Sequence, residues 1–192
     1  MLARRSWLLF GLALSAAPLW AADGRATWVL ENDVDVDYRN GVYLANLSFK
    51  VPVRTATVLD VLTDFEHMAL FVPNLTQSHI VERVGKSYRV VQDGKARFGP
   101  FNVDFHSLRK IDVLSDGRLV SDSLPGSSSR SHSEMKVQAL ADGWTKLDYQ
   151  LELEPSAWIP SSLGVGFLRH ELIEQFEAMA REMLRRQQGA KR

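Results

Sequence analysis

Few residues in this 192-residue chain could carry chemistry. It has no cysteine, which excludes disulfides, thiolate metal sites, a cysteine nucleophile and a lipobox anchor. His67, His79, His106, His132 and His170 show no ligand-type spacing, and a metal site needs three convergent ligands. No metal and no other cofactor is therefore expected. Ser127, Ser128 and Ser129 stand near His132, but there is no G-x-S-x-G elbow and no positioned acid. Asp33, Asp35 and Asp37 alternate like strand residues, whereas a calcium loop wants turn geometry and a glycine, so they read as a solvated strand face. The residue that stands out is Arg109. Phe101, Val103, Phe105, Ile111 and Val113 share one strand parity, and Ser107 and Arg109 share it with them, while His106 falls on the polar parity. Either a bulge turns Arg109 outward, or it faces the core. An arginine there is costly unless paired or wetted, and so marks a cavity with a polar anchor. Tyr149 and His170 are the other groups that could join Arg109 in acid–base work inside an apolar pocket.

Elements with strong sequence signals must position these residues. The segment Ser161–Arg186 predicts one long amphipathic helix. Leu168, Leu172, Phe176, Met179 and Met183 fall on one face, widened by Leu163, Val165, Phe167, Ile173 and Leu184. Glu171, Glu174, Glu177, Arg181 and Arg185 cover much of the other side, with Pro160 before the helix and Gly189 after it. Upstream, Trp28–Asp37 and Val42–Val51 read as strands joined by Asn40-Gly41, two residues that tolerate positive φ. Thr55 reads as the N-cap of a short helix, and Glu66–Val72 as a second one stopping at Pro73-Asn74. Six strands follow: His79–Val84, Tyr88–Arg97, Phe101–Leu114, Arg118–Leu124, Ser133–Ala141 and Trp144–Glu154. Turn signals separate them, and short connections favour antiparallel neighbours. In the last strand Leu147, Tyr149, Leu151 and Leu153 share a face. Gly126–Ser131 reads as a mobile loop. Trp158 and Ile159, between two prolines, read as a pocket rim or as a hinge packed on the helix start.

Residues 1–21 look like a secretory signal peptide. Arg4 and Arg5 precede an apolar run, Trp7–Ala17, too short to span a bilayer of about 30 Å comfortably, and Ala21 offers a cleavage site, with an uncleaved anchor as the alternative. The expectation is a periplasmic or secreted protein. Net charge is +0, which argues against a dedicated nucleic-acid binder. Nothing in the sequence points to a particular oligomeric state.

The order strand pair, two short helices, six-strand meander and long C-terminal helix resembles the START-type (SRPBCC) superfamily, with its helix-grip fold. The resemblance is carried by Val61-Leu62-Thr63-Asp64-Phe65, Phe71-Val72-Pro73-Asn74, Ala96–Phe101 and the run from Trp158-Ile159-Pro160 through Gln175-Phe176-Glu177. It covers about Val42 to Arg186 and is similar most of all to the coenzyme Q-binding START-domain and polyketide cyclase-like branch. It implies an α+β fold in which a curved antiparallel sheet wraps the C-terminal helix around a cavity. The chain then divides into a signal peptide (1–21), an N-terminal extension with an extra strand (22–41) and a START-type ligand-binding domain (42–188). The ligand implied is a hydrophobic small molecule: a lipid, an isoprenoid quinone or a polyketide-like compound. Phe65, Phe71, Phe98, Phe101, Phe105, Tyr149, Trp158, Phe167, Leu168 and Leu172 are expected around it, with Arg109 as polar anchor. A non-catalytic carrier is the first expectation. A cyclase- or hydratase-like enzyme in the same cavity is the second, and a protein-interaction module with a filled core the third. A transient membrane contact is compatible with the first.

Overall fold

The computed structural model describes residues 26–98, 101–155 and 161–190. Period-2 alternation resolves there into β1 (Val34–Arg39), β2 (Val42–Val51), β3 (Leu75–Val84), β4 (Ser87–Phe98), β5 (Phe101–Val113), β6 (Arg118–Ser123), β7 (Ser129–Ala139) and β8 (Thr145–Pro155). They form one antiparallel sheet in the order β1-β2-β8-β7-β6-β5-β4-β3. The β2–β8 pairing, from Tyr43↔Leu153 to Val51↔Thr145, joins the start of the chain to the end of the meander. Helix α1 (Thr55–Leu62) and a 3-10 turn (Phe65–Leu70) link β2 to β3, and α2 (Ser161–Gly189) follows β8. This is the helix-grip arrangement expected from the sequence.

The stripe on α2 packs as its spacing requires. Leu168, Leu172, Phe176, Met179 and Met183 are all buried. Phe176 lies 6.0 Å from Phe49 and 4.9 Å from Tyr149, centroid to centroid. Leu163, expected to widen this face, is exposed instead. The charged side is also less uniform than expected. Glu177 is buried, and its Oε2 accepts the backbone N–H groups of Trp28 and Val29 at 2.7 and 3.0 Å. Glu182 is buried as well, held by Arg185 at 2.6 Å and Arg186 at 2.7 Å. Arg186 reaches on to Asp64 at 2.6 Å, tying the end of α2 to the segment after α1.

Several boundaries differ from the sequence reading, each for a local reason. The strand expected at Trp28–Asp37 begins only at Val34, because Asp33 accepts the Leu30 N–H at 2.8 Å and closes a 3-10 turn, Glu31–Asp33. Asn40 and Gly41, at φ 52° and 88°, make the expected β1–β2 turn. Thr55 is the first residue of α1 rather than its cap, and Arg54 holds the cap position. The strand expected from His79 starts at Leu75. As an edge strand it carries exposed polar residues and two register shifts, which mask its alternation. The serine-rich stretch is anchored rather than a free loop. Ser127 Oγ accepts the Leu108 N–H at 3.0 Å and donates to the Leu108 carbonyl at 2.8 Å. Ser128 does the equivalent at His106, its N–H donating to the carbonyl at 2.8 Å and its Oγ accepting the N–H at 3.0 Å. These hydroxyls extend the β5 edge pairing where β6 has ended.

Candidate functional site

Between the concave face of the sheet and the N-terminal half of α2 lies a cavity of about 380 Å³. Small side chains keep it open. Gly94 sits across from Phe105 in the β4–β5 register, and a Cβ there would overlap both the Phe105 ring and the Asn74 carbonyl. Gly164 lies so close to Tyr43 that a Cβ would overlap its hydroxyl. These two glycines therefore fix how close a ring can lie to the strand and how near the helix can lie to β2. Ala96, Ser121 and Ser133 leave further room.

The apolar lining comes from three directions. Phe65, Met68 and Val72 enter from the turn after α1, Phe105, Ile111, Met135, Leu151 and Leu153 from the sheet, and Phe167, Leu168 and Leu172 from α2. Phe65 is fixed edge-to-face on Tyr88 at 5.2 Å, a geometry that ring quadrupoles favour. Of the residues proposed from the sequence, Phe65, Phe105, Arg109, Tyr149, Phe167, Leu168 and Leu172 line the cavity. Phe71 does not. The chain leaves the 3-10 turn at Phe71 (φ −132°), so Val72 takes the inward place and Phe71 lies under the Arg186 guanidinium at 5.7 Å. Trp158 is outside the described residues. Phe98 and Phe101 are partners in the β4–β5 register, and their side chains are likewise outside what is described.

Arg109 faces the cavity. The β4–β5 register runs unbroken through Val90↔Arg109, so no bulge turns it outward. Its Nη2 donates to Gln92 Oε1. Gln92 is buried and donates from Nε2 to Ser78 Oγ at 3.1 Å and to Met68 Sδ at 3.4 Å. Arg109 Nε and Ser121 Oγ are buried without a hydrogen-bond partner. Burial pushes the Arg109 pKa down, with the neighbouring Tyr149 hydroxyl opposing the shift. Burial likewise pushes Tyr149 up, opposed by its hydrogen bond with Ser133 and by Arg109. At the α2 side, Glu171 accepts from Asn74 Nδ2 at 3.1 Å. Its other oxygen is buried without a partner, and burial raises its pKa.

This arrangement presents hydrogen-bond donors on the sheet wall and a carboxyl on the α2 wall of a hollow whose lining is mainly apolar. An arginine stays protonated and a raised tyrosine stays neutral around pH 7, so this pair does not exchange protons readily there. The histidines sit on exposed positions beside acids. His67, His106 and His132 pair with Asp64, Asp93 and Asp122 at 2.6–2.7 Å. His79 and His170 lie 3.6 and 3.4 Å from Glu66 and Glu174. Among the described residues, His170, Glu171 and Glu174 form the group that could hold a metal, with ligand atoms within 4.8 Å of one another on one stretch of α2. No helix among the described residues is long and apolar enough to cross a membrane.

Sequence reasoning did not single out Gln92, Ser121, Ser133, Met135 or Glu171 as lining residues. Alternation could have found most of them: Ser121 shares parity with Leu119, Ser133 with Met135, and Gln92 with Tyr88 and Val90. Glu171 carries no such signal, because its place on α2 reads as the polar face.

No curated protein matches this sequence. Three solved structures show the same fold. An aromatase/cyclase from a Streptomyces species is 14% identical, covering 76% of this chain and 95% of its own, with a TM-score of 0.66. A STAR-related lipid transfer protein from Xanthomonas axonopodis is 15% identical, covering 79% of this chain and 98% of its own, with a TM-score of 0.58. The human StarD13 lipid transfer and protein localization domain is 17% identical, covering 79% of this chain and 84% of its own, with a TM-score of 0.60. At these identities the likeness is one of fold. The family described as polyketide cyclase/dehydrase and lipid transport matches residues 51–180, a span that holds all of the cavity wall except Tyr43, and the chain belongs to that family.

Proposed function

We propose that this chain is an exported, non-catalytic carrier for a hydrophobic small molecule, a lipid, isoprenoid quinone or polyketide-like compound, held between the sheet and α2. The observation that carries the reading is the cavity of about 380 Å³ whose lining is mainly apolar. Each methylene buried there contributes about 0.8 kcal/mol, so affinity needs little more than fit. The residues proposed to contact the ligand are Phe65, Phe105, Tyr149, Phe167, Leu168 and Leu172, with Arg109 at its polar end. Export rests on the signal-like pattern of residues 1–21.

A cyclase- or hydratase-like enzyme is the second reading. What favours it is the convergence of Arg109, Tyr149 and Ser133 on one wall and the raised pKa of Glu171 on another. The open cavity speaks against an interaction module with a filled core. Native mass spectrometry of the protein purified from its own cell envelope, followed by organic extraction, tests the carrier reading. A stoichiometric, chemically unaltered hydrophobic molecule is expected. Empty protein that takes up no lipid or quinone on challenge sinks it, and turnover of an added polyketide-like substrate moves the reading to the enzyme.

A further inference from the structure

The concave wall of the cavity poses a charge problem that protein groups leave open. Arg109 offers five N–H donors, and the side chain it donates to is the neutral Gln92. Gln92 cannot shift toward it freely, because its amide nitrogen is committed to Ser78 at 3.1 Å. Arg109 Nε is buried and unpartnered, and so is Ser121 Oγ on the same wall. Among the described residues no carboxylate acts on Arg109. The ionisable group that acts on it is the Tyr149 hydroxyl, which burial keeps protonated and neutral. Glu171 also lines the cavity, but the groups acting on it are Asn74, His170 and Glu174. A buried cation surrounded by neutral groups is expensive. The planar guanidinium fork matches one planar, two-oxygen anion better than any single carbonyl.

From this, and resting on the carrier reading, we infer that the ligand is an amphipathic monocarboxylate whose head sits on Arg109 and whose apolar body fills the space under α2. One negative charge suffices, because one unpaired cation faces the cavity and a second charge would have to share the space with Glu171. At about 30 Å³ per non-hydrogen atom, a cavity of about 380 Å³ holds roughly a dozen of them. That is the size of a medium-chain fatty acid or of a carboxylated two-ring compound.

The test is isothermal titration of the purified protein with decanoate, decan-1-ol and decylamine, each below its aggregation concentration. The three share a tail and differ in head. Decanoate is expected to bind about 10- to 100-fold more tightly than decanol, as for a charge-assisted hydrogen bond, and decylamine not at all. In Arg109→Gln the preference for decanoate over decanol should collapse, and Arg109→Lys should keep part of it. The comparison on the unaltered protein decides the matter even if the variants fold poorly. Decanol equal to or tighter than decanoate overturns the monocarboxylate while leaving the carrier reading intact. Failure of all three tails, of a naphthalene carboxylate with its alcohol, and of a short-chain quinone to bind removes the carrier reading itself. A naphthalene carboxylate titrated against its alcohol then separates a ring-bearing acid from a fatty acid.

Discussion

The two halves of α2 carry the same apolar stripe and meet different surroundings. Beyond Phe176 the helix becomes closely packed: Ala180 and Met183 are fully buried, Glu177 and Glu182 are buried and hydrogen-bonded, and only Phe176 and Met179 still reach the end of the cavity among the described residues. From Gly164 to Leu172 it roofs a hollow. The contrast lies in what stands opposite. Phe49 of β2 and Thr57 of α1 meet the second half at Phe176 and Gln187, whereas Ser121, Ser133, Ala96 and Arg109 help to floor the cavity under the first. Amphipathic spacing alone therefore locates a buried face without saying whether protein fills it.

Truncations should separate the halves. Met183→Ala removes a fully buried side chain from close packing and should cost about 2–5 kcal/mol in chemical denaturation. Leu168→Ala, at the hollow, should cost clearly less while altering uptake of a hydrophobic probe. Equal costs would erase the distinction between the halves. Gly164→Ala drives a methyl into the Tyr43 hydroxyl and should cost about 1–3 kcal/mol, with a shifted α2 lowering probe affinity more than the stability loss explains. Glu177→Ala should cost about 1–3 kcal/mol by orphaning two N–H groups. Hydrogen exchange should then quicken at Trp28 and Val29 and stay unchanged in β5; a loss spread evenly over the sheet would refute the local role.

The smallest effect concerns pH, and its sign should differ between the halves. At the packed end, the hydrogen bond from Arg185 lowers the Glu182 pKa below its ordinary 4.5, with Arg186 adding to it against burial. Burial alone would raise Asp64, yet hydrogen bonds from His67 and Arg186 outweigh it and hold the carboxyl below 3.8. An unfolded chain binds those protons first, so this stability is lost as pH falls from the ordinary carboxylate range. Glu171 is raised above 4.5 by burial. Its folded form binds the proton first, so its contribution recovers as pH falls toward 4.5 and is lost as pH rises through the folded value. Denaturation of Glu171→Gln and Glu182→Gln between about pH 3 and about pH 7 should show the first variant gaining and the second losing stability at neutral pH. Parallel shifts in both would contradict the opposed environments.

Much of this was legible in the residues. The parity of β5 placed Arg109 beside Phe105 and Ile111, and the parity of β8 placed Tyr149 beside Leu147 and Leu151. Both follow from a two-residue period that a regular ladder preserves. The spacing of Leu168, Leu172, Phe176, Met179 and Met183 gave the gripped face of α2 in the same way. The attachment of Trp28 and Val29 was not legible, since it depends on one carboxylate, Glu177, far along the chain. Ser127 and Ser128 misled because a serine that bonds a neighbouring backbone looks the same in sequence as a serine in a loose loop. Phe71 went the other way from Phe65 through a single change of backbone angle after the 3-10 turn, which no periodicity encodes.

The bond from Trp28 to Glu177 also has a bearing on the order of events as the chain is made. Its two ends stand 149 residues apart, and β2 must wait for β8 before it gains its inner neighbour. Helix α2, which follows every strand of the sheet in the chain, is the element that both Trp28 and the concave sheet need. The hairpins from β3 to β7 can pair as they are made, but the concave face cannot be covered before α2 is made. Contacts so distant in sequence are costly to close, so the β2–β8 pairing and the attachment of Trp28 should be the late steps of folding.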